Sequence, residues 1–471
     1  MSAWKLRCAA LVCCVLMFLP ARMFAGFGEF TIRDELELAR KFDLVIETRF
    51  PVVHDPQITG YVRSLVDRLV AAMPPQPFPI KVTVVRNGSM NAFASAAGHI
   101  TVFTGLMANL DGEDELASVI AHELAHVSER HIAKSIEKNQ LIGAGSLLGI
   151  LAGVLVGSQT KGDGGEALAI GAMAGSRALQ LQYSRQNERE ADQYGLDFLV
   201  AAGFSPRGMV DAFGKIRRLQ WLGGGGNVPS YLTTHPGMDE RVVYMQERIA
   251  RLPLSVRERA SDNAAFLRAK ALVLAWYTDP NTAIAIFSAE SHPYPACTAF
   301  LGEAIARSRL KQSEAARAGF GKALACGGDD ALWKREYGRF AFEYGALRDA
   351  AQALQEAVLR APDDLFALFF YARAMGEQGN HAAAIGALER VAKAVPRDAE
   401  VLENLGRQQA AQGMQFEAHL NYAKAFAYRR QFRKYAFHLE KAEALARTEE
   451  QRTAVSRARE EVDEYREILA G

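Results

Sequence analysis

Along residues 113–128 apolar side chains return at every third or fourth position: Leu116, Ile120, Leu124 and Val127 form one stripe, and His122 and His126 lie off it. That period predicts an amphipathic helix that packs on one side and leaves another for chemistry. Asp111 ahead of Glu113, Asp114 and Glu115 predicts the helix start, with Asp111 as N-cap and an acidic first turn that complements the helix dipole. Upstream, residues 80–85 alternate and are rich in β-branched side chains, and 100–103 follow a glycine, which predicts a small antiparallel sheet before the helix. Residues 141–156 and 167–174 are apolar and uncharged and flank a polar, glycine-rich stretch at 158–166. Each run is shorter than the roughly 20 residues of a bilayer span. Two readings of 141–175 follow: a lid or peripheral contact with membrane or unfolded client, or a buried helical hairpin.

Beyond about residue 252 the chain becomes alanine-rich and uniformly helical, and a step of 34 residues appears. Gly345, Gly379 and Gly413 obey it, as do Pro362 and Pro396. Two sets of small residues keep the same step, Ala304, Gly338, Ala372, Gly406 and Ala316, Ala350, Ala384, Ala418, followed by the large apolar Phe320, Leu354, Leu388 and Tyr422. Period and pattern resemble tetratricopeptide repeats (TPRs), helix pairs whose small residues allow close approach. Four repeats are well marked; a less regular fifth carries Ala271, Ala283 and Phe287 at matching positions. The charged stretch from about Arg433 is expected to cap the solenoid, and Arg429, Arg430, Arg433 and Lys434 read either as a site for an acidic partner or as a solvated face.

Chemistry concentrates in His122-Glu123-Leu124-Ala125-His126. Histidines four apart share a helix face and can reach one metal ion, and the glutamate beside the first can act as general base towards water. Downstream, Glu188 and Asp192 are also four apart. Hydrolytic zinc sites use three protein ligands and an open position, so Glu188 can complete a two-His, one-Glu set. Asp192, one turn on, can accept the free N–H of a ligand histidine, His122 by preference.

HELAH followed by NEREAD at this spacing resembles the M48 family of zinc metallopeptidases, over about residues 27–249 and including the segments 91–94 and 98–100. The resemblance implies a gluzincin-type site with one Zn2+ per chain on His122, His126 and Glu188, and Glu123 as general base. Members of that family commonly carry a Thr-His-Pro segment, found here as Thr234, His235 and Pro236 after four glycines at 223–226. His235 could assist the oxyanion in catalysis or occupy the open metal position and hold the site latent. Asn91 and Ala92 are candidates for binding extended substrate along a strand edge.

Residues 1–25 combine Lys5 and Arg7 with an uncharged run to Pro20 and a small residue at Ala25, the layout of a secretory signal. Three of the five cysteines fall in that segment; Cys297 and Cys326 remain, as one disulfide or two buried thiols. A net charge of +1 gives no sign of a nucleic-acid partner. The expected protein is mostly α: signal at 1–25, an α+β peptidase domain at 27–252, a TPR array at 262–432 and capping helices at 433–471. Its expected role is that of an exported, periplasmic zinc endopeptidase, peripheral to the outer membrane, degrading unfolded or misassembled envelope proteins. It would also have chaperone activity in outer-membrane protein assembly, reaching the assembly machinery through the repeats. The alternative is a chaperone or adaptor scaffold whose zinc site is largely latent.

Overall fold

The computed structural model describes residues 30–138, 183–222, 231, 234–328 and 330–470. The leader, the apolar excursion at 141–175 and the glycines at 223–226 lie outside the described residues. Helices α1 (Ile32–Arg49) and α2 (Pro56–Val70) precede strands β1 (Lys81–Val85), β2 (Ala92–Ala94) and β3 (His99–Phe103). Then come α3 (Thr104–Asn109), α4 (Glu113–Ser128), α5 (His131–Lys138), α6 (Arg185–Ala201), α7 (Arg207–Leu222) and α8 (Met238–Ala250). Among the described residues no helix is long and apolar enough to cross a membrane.

The sheet differs from expectation. Its order is β1-β3-β2, and only β2 runs antiparallel to β3; β1 pairs with β3 in parallel, Lys81 opposite His99 and Val85 opposite Phe103. Alternation reports which face of a strand is buried but not the direction of its neighbour. Here β2 claims the hairpin edge of β3, so β1 must reach the other edge by a crossover. The start of α4 also differs. Gly112 is its N-cap and makes no side-chain cap; Asp111 instead pairs with Lys215 at 2.6 Å. The cap comes from 150 residues away, where Asn263 Oδ1 accepts from the Glu113 N–H at 2.8 Å. The apolar stripe of α4 is buried throughout, from Leu116 to Val127.

After a short helix, α9 (Leu254–Arg257), the rest of the chain is helix pairs: α10 (Ala264–Tyr277) with α11 (Pro280–Phe287), α12 (Ala296–Arg309) with α13 (Ser313–Gly327), and α14 (Ala331–Glu343) with α15 (Leu347–Arg360). Next are α16 (Leu365–Glu377) with α17 (His381–Ala394), α18 (Ala399–Ala411) with α19 (Gln415–Tyr428), and finally α20 (Phe432–Leu445) and α21 (Glu449–Ala470). The 34-residue step has a steric cause. Gly345, Gly379 and Gly413 sit at the turns within pairs with φ of 77°, 83° and 78°, where L side chains are strained. Ala316, Ala350, Ala384 and Ala418 are buried at the crossing of the paired helices, and a Cβ on Gly338 would lie 2.6 Å from Leu354. Cys297 and Cys326 form a disulfide between α12 and α13, with Cα atoms 5.4 Å apart.

The repeats are not tethered beads. One apolar core runs without a break from Ala39 in α1 to Phe340 in α14. At the centre of the junction Arg335 is wholly buried and touches three carboxylates: Asp55 at the head of α2 at 2.7 Å, its neighbour Glu336 at 2.6 Å and Asp364 at the head of α16 at 3.1 Å. The far end of the array returns to α1, where Arg397 pairs with Glu47 at 2.7 Å and Tyr465 of α21 packs with Leu44. The last helix thus buries one face rather than only solubilising the array end. Because Arg335 leaves uncompensated buried anions when removed, Arg335→Ala is expected to cost about 3–5 kcal/mol in urea unfolding. An exposed arginine such as Arg452 should cost almost nothing.

Candidate metal centre

Four elements converge on one point. α4 presents His122 and His126 one turn apart. α6 starts at a capping box, in which Ser184 Oγ accepts from the Asn187 N–H at 3.1 Å and Asn187 Oδ1 accepts from the Ser184 N–H at 3.2 Å. This places Glu188 in the first turn and Asp192 in the second. The two helices can cross closely because position 195 is glycine: a Cβ there would lie 3.1 Å from the backbone of Ala121 and His122. His235 and α8 complete the ring.

The imidazoles meet at Nε2, 3.0 Å apart. His235 Nδ1 lies 3.3 Å from His122 Nε2 and 3.0 Å from Glu188 Oε1, and His126 Nε2 lies 3.5 Å from the same oxygen. One ligand atom from each of these four residues lies within 4.8 Å of every other. Ligands about 2.0–2.1 Å from a tetrahedral zinc stand roughly 3.3 Å from each other, so the spacing of this cluster fits such an ion. Donor chemistry fits too: three imidazole nitrogens and a carboxylate, all at most 1 % exposed.

Around them Asp192 Oδ1 stands 3.0 Å from His122 Nδ1. Arg241 of α8 grips Asp192 with two nitrogens at 2.8 and 2.7 Å and reaches Glu188 Oε2 at 2.5 Å. Tyr244 donates to Asp192 as well. Burial raises the Glu188 carboxyl, but the charges of His235 and Arg241 overcome it and hold the group well below its usual range. Asp192 likewise falls to about 2, Arg241 outweighing burial. Burial keeps His126 neutral. His122 is driven down by burial and by Arg241, yet its hydrogen bonds to Asp192 and Glu188 push it up to about 9.

Glu123 lies beside the cluster, completely buried. Its Oε2 accepts from the Ala94 N–H of β2 at 3.0 Å, while Oε1 has no hydrogen-bond partner among the described residues and stands 3.4 Å from His235 Nε2. Burial raises its pKa, with the charges of His235 and His122 offsetting part. Asn91 and Ala92 adjoin Ala94 in sequence but are wholly buried; the Asn91 side-chain amide has no partner among the described residues.

Several contributors escaped the sequence reading. Arg241 had a signal, since it lies on the apolar stripe of α8 with Met238, Val242, Met245 and Ile249, where a lone charge needs a buried partner. Tyr231 stacks on His235 at 4.3 Å and Tyr183 on His126 at 3.8 Å. Neither ring has a pattern that marks it. His131 and Glu190 were also missed.

Comparison with known proteins agrees with this geometry. Residues 56–249 match Peptidase family M48. Over 259 residues the chain is 29 % identical to the beta-barrel assembly-enhancing protease of Escherichia coli (strain K12), covering 55 % of this chain and 52 % of that protein. Over 175 residues it is 31 % identical to the metalloprotease LoiP of the same organism, covering 37 % and 64 %. The chain thus spans about half the length of the assembly-enhancing relatives it matches. A crystal structure of YrrB, a TPR protein with an unusual peptide-binding site, aligns with 37 % of this chain and 91 % of that one at 20 % identity and a TM-score of 0.30. Every residue of the four-donor cluster falls within 56–249, and this segment is a peptidase family M48 domain.

Proposed function

We propose that the protein is a zinc-dependent endopeptidase acting on unfolded or misassembled envelope proteins, exported to the periplasm and working beside the outer membrane. The observation that carries the reading is the convergence of His122, His126 and Glu188 at tetrahedral spacing beside a Glu123 oxygen that has no hydrogen-bond partner among the described residues. The names of the assembly-enhancing relatives support the choice of outer-membrane clients. In this reading His122, His126 and Glu188 would hold one Zn2+ per chain, which when bound would supply Lewis acidity to the scissile carbonyl and to water. Glu123, held through Oε2 by Ala94, uses Oε1 to take the proton from the attacking water and then delivers it to the leaving amine. Asp192, clamped by Arg241, fixes the His122 ring with its proton on Nδ1. β2 is the outer strand of the sheet and lies beside Glu123, and the neighbouring 91–92 segment is the proposed place for an extended substrate backbone. The repeats would supply selection of client or assembly machinery, giving the protein chaperone activity as well.

One observation favours a latent ground state: His235 Nδ1 stands among the ligand atoms, as a fourth donor would. As a latch it closes the position that water needs; as a catalytic group it would swing to the oxyanion. Three measurements separate these readings from each other and from a pure adaptor. Purified protein is expected to contain one zinc per chain, and chelator should lower its melting temperature until zinc is restored, since a ligand at 100 times its Kd contributes about 2.7 kcal/mol. Glu123→Gln should reduce cleavage of an unfolded substrate by roughly 10²–10⁴-fold with zinc content unchanged; unaltered cellular function in that variant supports the adaptor. His235→Ala should raise the initial cleavage rate if the histidine is a latch, whereas a fall with unchanged zinc content assigns it to catalysis.

A further inference from the structure

A histidine nitrogen that gives its lone pair to a metal carries no proton, so the neutral ring must hold one on the far nitrogen, and that N–H needs an acceptor. For His122 the acceptor is Asp192. For His126 no carboxylate plays that part. Its Nδ1 lies 2.8 Å from Nδ1 of His131, a wholly buried histidine, and His131 Nε2 lies 3.1 Å from Glu190 Oε2. An ionised Glu190 only accepts, so His131 Nε2 donates to it. A neutral His131 is then left with a lone pair on Nδ1, which is what the His126 Nδ1–H requires, and His126 Nε2 is left bare towards the cluster. One partly exposed carboxylate at the end of the chain sets both tautomers.

The backbone is shaped for this contact. α4 stops at Ser128 and α5 begins at His131, and between them Arg130 adopts φ 51°, a left-handed conformation costly for a residue with a Cβ. Glu35, itself buried, takes Arg130 Nε at 2.7 Å, and the Phe30 carbonyl takes Nη2 at 3.0 Å. The turn folds His131 back against the ring five residues earlier. Tyr183 stacks on His126, which limits tilt but leaves rotation within the ring plane to be fixed by the hydrogen bond.

We propose that His131, oriented by Glu190, is a positioning residue that fixes the tautomer and ring orientation of His126 and thereby sets the affinity of the site for its metal. The proposal rests on the assignment of His122, His126 and Glu188 as zinc ligands. The test uses the full chain and two readouts that do not depend on activity: zinc affinity by competition with a chromophoric chelator, and the visible spectrum of the Co2+-substituted protein. His131→Phe keeps a ring but removes the acceptor, and is expected to weaken zinc binding about 10–100-fold and to shift the Co2+ bands. His131→Asn offers a carboxamide oxygen to the His126 N–H and should recover most of the affinity. Glu190→Ala, at a partly exposed position where folding is not at stake, should move affinity in the same direction as His131→Phe. Unchanged zinc affinity and Co2+ spectrum in both His131→Phe and Glu190→Ala would overturn the proposal. Wild-type protein that takes up no zinc would overturn the ligand assignment instead.

Discussion

Charge balance in a dry volume is the constraint on which the peptidase domain depends. Glu123, Glu188 and Asp192 bring three carboxylates together at no more than 1 % exposure, and unpaired ions at such depth are costly. Arg241 answers one of them by spanning Asp192 and Glu188. The same balance explains why α6 and α8 must both pack on α4. α6 delivers the anions, Gly195 lets them come close, and α8 brings the cation that keeps them apart.

Parts of this arrangement are legible in the sequence because they are local. A helix turn fixes the relation of His122 to His126 and of Glu188 to Asp192, and the 34-residue step writes each helix pair into small residues and glycine turns. What joins distant segments is not legible. Asp111 has the residue type and place of an N-cap, yet its carboxylate goes to Lys215 and Asn263 takes over the helix start. β1 carries the correct alternation but pairs in parallel, since the identity of its neighbour depends on where the β2–β3 hairpin forms. Arg241 is marked only as a charge on the apolar stripe of α8, and which acids it meets depends on how that helix packs.

The docking of the array follows the same logic at larger scale. Asp55 caps α2 with its side chain and also takes the Arg335 guanidinium, so one residue starts a peptidase-domain helix and anchors a repeat. Asp364 does likewise for α16. Helix heads supply favourable surroundings for carboxylates, and placing two of them around one buried arginine fixes the angle between domain and solenoid. With α21 returning to α1, the array is held at both ends. It therefore contacts the N-terminal half of the chain at both ends, unlike a solenoid whose repeats contact only their neighbours.

Held this way, the site is complete but closed. Glu123 Oε1 must meet water to do chemistry, yet Glu123 is wholly buried and His235 Nε2 stands 3.4 Å from that oxygen. On the latch reading proposed above, His235 is the group that moves before peptide hydrolysis. Its side chain stacks on Tyr231 and contacts Glu188 Oε1 at 3.0 Å and His122 Nε2 at 3.3 Å through Nδ1, and its backbone N–H donates to the Tyr231 carbonyl at 2.9 Å. By contrast, Glu188 and Asp192 are locked by Arg241, Tyr244 and the packing of α6 on α4. On that reading, displacing His235 would free a coordination position and expose Glu123 in one motion, with His122, His126 and Glu188 kept in place.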